Sequence, residues 1–125
     1  VLRSAGWQPT GFVAPAWLMS TGTRDALDSL PLKYYATRDS VCLLAGERYI
    51  TAPSLVMSTR APWRRVLCAA WNHVMLGRHL DAPVVRAALH PGDLRFRGIE
   101  SLWRRLLGQV SNREVVTEGE LTEAL

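Results

Sequence analysis

The chain has 125 residues, 48% of them hydrophobic and 21% charged, with a formal net charge of +4. That length suits one modest domain with a core of its own, and the balance of apolar to charged residues excludes a disordered or low-complexity polymer. No apolar run approaches the roughly 18 residues that a membrane-spanning helix needs, and no basic-then-apolar leader opens the chain.

Val1–Ala5 is expected to end a helix at Gly6. A short strand follows over Gly11–Ala14, broken by Pro15. "STGTRDALDSL" has the form of a helix, with Ser20 or Thr21 as cap and Pro31 as terminator. Lys33–Thr37 is aromatic and strand-like, and "VCLL-AG-ERYI" places a Gly46-containing turn between two β-prone runs, the pattern of a hairpin. Ser54–Thr59 makes another strand.

Two helical templates are the clearest signals. Trp63, Val66, Leu67, Ala70, Trp71 and Val74 fall at i, i+3, i+4, i+7, i+8 and i+11 behind Pro62, which predicts a core-facing stripe with Arg64, Arg65, Asn72 and His73 off it. Ile99, Leu102, Trp103, Leu106, Leu107 and Val110 repeat the template. Between them Val84–Leu89 is short enough to be a buried parallel strand, and a last short helix is expected around Glu118–Ala124. This alternation of strands and helices predicts an α/β fold with a mostly parallel sheet, whose chemistry would lie beyond the carboxyl ends of the strands.

Two strand endings would share that rim. His90-Pro91-Gly92-Asp93 follows the Val84–Leu89 run. It admits two readings: an imidazole held in direction by Pro91 as a proton donor or acceptor, or a capped turn in which Asp93 is a turn residue. Pro15-Ala16-Trp17 can aim a backbone N–H at a developing oxyanion and offer Trp17 as a pocket wall, or can simply turn the chain over a core tryptophan. His73 and His79 lack the spacing of a helical metal pair, and GxSxG, GxGxxG, HExxH and P-loop patterns are all absent. Cys42 and Cys68, 26 residues apart, suit reduced core positions and with the missing leader favour a cytoplasmic setting.

Charge is unevenly spread. Ala61–Val110 holds eight arginines against Asp81, Asp93 and Glu100, whereas one arginine and four glutamates follow. Solvated helix faces or an anionic partner would each account for this.

"GFVAPAWLMS", "APSLVMSTRAPWRR" and "LHPGD", in that order and spacing from Gly6 to about Thr117, resemble the C-terminal half of polysaccharide deacetylase-like proteins, in the bacterial branch that carries a domain of unknown function. The resemblance implies half of a distorted (β/α) barrel, one partial domain over residues 1–125, and a hydrolase that removes N-acetyl groups from a carbohydrate through metal-activated water. It implies His90 as general acid, the Ala16 backbone N–H at the oxyanion, and Pro15, Trp17 and Asp93 at the acetylated carbohydrate. The metal would be divalent, commonly zinc, with ligands in the N-terminal half rather than in this chain. Val13 stands where the family has an arginine, which suggests a pseudo-enzyme of the same fold as an alternative. By this reading the chain is a fragment whose Val1 is not a natural start, inactive alone and able to self-associate through exposed strand edges. A further alternative is a non-catalytic arginine-rich module that binds an anionic polymer; nucleic acid and membrane are not the expected partners.

Overall fold

A computed structural model describes residues 3–124 of the chain; Val1 and Leu2 of the expected first helix lie outside them. The chain divides into two compact units, one built from Val1–Thr51 and Val115–Leu125, the other from Ala52–Glu114.

The first unit is organised by a βαβ crossover followed by a hairpin. Strand β1 (Gly11–Val13) leads through helix α1 (Thr21–Asp28) into β2 (Tyr34–Ala36), and the two strands pair in parallel. Ser20 starts α1 because its hydroxyl accepts a hydrogen bond from the Thr23 N–H at 3.1 Å, satisfying one of the donors that a helix start leaves open. From β2 the chain turns back twice, giving β3 (Ser40–Leu43) and β4 (Arg48–Thr51), both antiparallel to their neighbours. The β3–β4 turn is four residues long and places Gly46 and Glu47 at positive φ, a conformation that glycine adopts without steric penalty. Leu27, Tyr35 and Cys42 form the core, with Phe12, Met19, Leu32 and Leu44 against it.

Register matters most where β1 meets β2. Gly11 lies opposite Tyr34, whose ring covers the glycine so closely that an added Cβ would collide with Cζ. A late helix, α4 (Glu118–Glu123), begins with a capping box. The Glu120 N–H donates to the Thr117 hydroxyl while the Glu120 carboxylate accepts from the Thr117 N–H. These bonds hold the Glu120 carboxyl below its usual range.

The second unit repeats the crossover. Strand β5 (Ser54–Val56) leads through helix α2 (Pro62–Leu80) into β6 (Arg86–Ala88), again parallel, and helix α3 (Arg97–Gln109) follows. Leu55, Met57, Ile99, Leu102, Trp103 and Leu106 make its core, with Ala69, Leu80, Val85 and Phe96 at its margin. Asn72 anchors α2 to β5: its side-chain amide donates to the Val56 carbonyl at 3.0 Å and to the Cys68 carbonyl at 2.8 Å.

Two expectations are corrected. Half of a (β/α) barrel with a mostly parallel sheet is not what forms. The strands make two open sheets, one four-stranded in the order β1-β2-β3-β4 and one two-stranded, and only two of the four pairings are parallel. The reason is local: helices separate only β1 from β2 and β5 from β6, whereas short turns after β2 and β3 leave room only for antiparallel return. The second correction concerns α2. Its apolar stripe is not core, for Trp63, Val66, Leu67, Trp71 and Val74 are all exposed, while Asn72, off the stripe, is buried. Among the described residues no helix is long and apolar enough to cross a membrane.

Burial pushes the Tyr35 phenol upward from 10.0, helped by the neighbouring Cys42 and by the hydrogen bond shared with the Tyr49 hydroxyl; burial and the nearby Glu118 charge push Tyr34 in the same direction. The folded state therefore favours the neutral phenols. Their contribution to stability is complete below pH 10.0 and is lost as pH rises through the elevated folded values. Phenolate absorbance and far-ultraviolet circular dichroism, followed together, should change in concert above pH 10.0; ionisation of these two phenols at their ordinary value, with the dichroism unchanged, would contradict the assignment.

Candidate functional site

The His-Pro-Gly-Asp turn is built from the residues inward. Strand β6 ends at Ala88, Leu89 and His90 are exposed, and Pro91-Gly92 reverses the chain into a 3-10 turn over Asp93–Arg95. Asp93 has no exposed surface. Its N–H donates to the His90 carbonyl at 2.9 Å, and its Oδ2 accepts from the His90 N–H at 3.2 Å, so the turn closes on itself. The same Oδ2 accepts from the Trp103 indole Nε1 at 3.0 Å, which ties the turn to the middle of α3. Oδ1 is buried, and among the described residues it has no hydrogen-bond partner.

This arrangement separates the two readings of the motif. Asp93 braces the junction between β6 and α3 and has no exposed surface. The His90 residue is exposed, and among the described residues none is hydrogen-bonded to its imidazole. A hydrogen-bonded partner sets the tautomer and direction of a general acid; among the described residues it is the His90 backbone that is held.

The Pro15–Trp17 segment is a 3-10 turn in which Ala16 has φ 53° and ψ 20° and Trp17 has φ 55°. Two successive non-glycine residues in the left-handed region are uncommon and cost energy. The turn is closed by the Trp17 N–H to the Ala14 carbonyl at 2.9 Å and the Leu18 N–H to the Pro15 carbonyl at 3.2 Å. Pro15, Ala16 and Val13 are exposed, and Trp17 is half-buried. The segment follows β1 in the four-stranded sheet and His90 follows β6 in the two-stranded one, so the two strand endings do not share one sheet edge. All three histidines belong to the second unit.

The metal expectation is also corrected. Among the described residues no group of three or more His, Cys, Asp or Glu side chains could hold a metal ion. A zinc site needs three or four such ligands converging within about 2.0–2.3 Å of one point, and the histidines here lie singly on α2 and after β6. Cys42 and Cys68 are free thiols, the first buried.

What the second unit does assemble is positive charge. It carries ten arginines against four carboxylates, a net of +6, which leaves −2 on the first unit. Several arginines are structural. Arg86 donates to the Ala52 carbonyl at 2.8 Å, Arg113 to the Ala82 carbonyl at 2.7 Å and to that of Leu80, and Arg65 stacks 4.2 Å over Phe96. Arg104 pairs with Glu100 at 2.9 Å, and Arg64 lies 5.1 Å from the Trp63 ring centre. Arg60, Arg78, Arg95, Arg97 and Arg105 are exposed, and among the described residues they make no ion pair. The sequence signal for the Asp93 brace was weak, because a tryptophan ten residues beyond an aspartate has no motif.

Compared with protein-family models, curated proteins and solved structures, the chain matches none of them.

The brace has a measurable weight. Asp93→Ala removes the acceptor for two donors and leaves the Trp103 indole and the His90 amide unpaired, and should lower unfolding free energy by about 2–3 kcal/mol in a denaturant titration. His90→Ala, at an exposed ring, should change it by less than about 0.5 kcal/mol. The reverse order of effects would refute the structural role given to Asp93.

Proposed function

We propose that the chain is a non-catalytic binding module of a polysaccharide deacetylase-like protein, in which the basic second unit engages an anionic polymer. Five exposed arginines that have no acidic partner among the described residues carry this reading: in a unit of net +6 they are charge that folding does not use. The resemblance to the deacetylases supports the family setting. The exposed, unpartnered imidazole of His90 supports a role without chemistry.

Binding by this route is counterion release. If about five arginines each neutralise one phosphate or sulfate, the logarithm of affinity falls with that of salt at a slope of about −4.5, or several hundredfold between roughly 50 and 200 mM. Fluorescence anisotropy with labelled duplex DNA and with heparin, each across that salt range, should give this slope. Arg95→Glu with Arg97→Glu should weaken binding at every salt concentration and flatten the slope by about 2. Absence of binding at low salt, or binding only to a neutral N-acetylated oligosaccharide, would overturn the proposal; the second result would restore a carbohydrate substrate.

A further inference from the structure

Helix α2 has two anchoring faces where a surface helix has one. The inner face is accounted for by Ala69 at the core margin and by Asn72 on β5. The outer one is the stripe, where Trp63 is 60% exposed, Val66 69%, Leu67 59%, Trp71 54% and Val74 70%. From side-chain areas of about 150–250 Å² for the aromatics, covering it would bury roughly 600 Å². That is the upper end of the largest patch on an ordinary monomer.

We propose that the occupant is a second copy of the chain, docked through an antiparallel α2–α2 pair. Three features of the stripe point there. Its spacing is the same read in either direction, as an isologous contact requires. A two-fold axis crossing the helix between Cys68 and Ala69 sets Trp63 against Val74 of the second copy, Val66 against Trp71, and Leu67 against Ala70. Each pairing opposes a larger side chain to a smaller one, so the surfaces can interdigitate at ordinary helix separation. Finally, two such faces bury about 1,200 Å² in all, the lower bound of specific interfaces.

Charge distinguishes this occupant from others. The stripe is uncharged, and α2 contains no acidic residue while Arg64, Arg65 and Arg78 stand off the stripe. The two-fold places Arg64 opposite His73 of the second copy. A polyanion would leave Val66, Leu67 and Val74 against polar groups. Two α2 helices cover them completely and bring like charges to the rim, so association must strengthen as salt screens that repulsion.

Sedimentation velocity of the full chain, from about 1 to about 200 μM, at roughly 50 and 500 mM salt, tests this. The expected result is a monomer–dimer equilibrium, tighter at high salt. Leu67→Glu, at an exposed position, should raise the dissociation constant at least about 100-fold with unchanged circular dichroism. Ala70→Lys should do the same. An equimolar mixture of the two variants should recover the dimer, because the register sets the new carboxylate at position 67 of one copy against the new ammonium at position 70 of the other. A monomer throughout, a dimer that loosens with salt, or a mixture no tighter than its parts would overturn the proposal. Polyanion binding by the arginines loosens with salt, so either idea can fail while the other stands.

Discussion

The second unit depends on one buried carboxyl. Asp93 Oδ2 receives the His90 amide and the Trp103 indole at once, so the loop leaving β6 and the helix that follows it are fixed by a single acceptor. Ile99, Leu102 and Leu106 share α3 with Trp103, and through it their packing against Leu55 and Met57 inherits its alignment. A group without solvent exposure gains more from such bonds than a surface group would, and loses more if they are broken.

The same device gives the His-Pro-Gly-Asp motif a structural task that does not depend on chemistry. A proline after a strand and an aspartate three residues later hold a histidine's backbone in place, whether or not its ring has work to do. This chain commits its aspartate to architecture. Its surplus is arginine, concentrated in the basic unit, while most of the carboxylates belong to the acidic one.

Much of the local structure was legible in the sequence, and the global arrangement was not. Pro62 at the head of α2, Ser20 at the start of α1 and the Gly46 turn all act through backbone sterics or a nearby hydrogen bond, and neighbouring residues suffice to read them. The stripes of α2 and α3 follow the same template with different outcomes. Periodicity says that apolar groups share a face, and only tertiary structure says what covers it. In α3 the core covers Ile99, Leu102, Trp103 and Leu106; in α2 the anchoring falls to Asn72, a polar residue that no hydrophobic pattern selects. The barrel reading failed for a related reason, since alternation of strands and helices cannot reveal where a sheet stops, and the segment from Tyr34 to Tyr49 folds back on itself. The brace on Asp93 joins residues ten apart whose partnership exists only once α3 is placed.

The ring of Tyr34 over Gly11 has a consequence for how this chain can vary through descent. Neither position is free while the other keeps its present residue: nothing larger than hydrogen fits at 11 beneath the phenol. A lineage that enlarges residue 11 must first have shrunk residue 34, and the intermediate, with two small residues side by side, bares the sheet to water. The order of inheritable steps therefore runs one way, and in a set of relatives these two sites should change together or not at all.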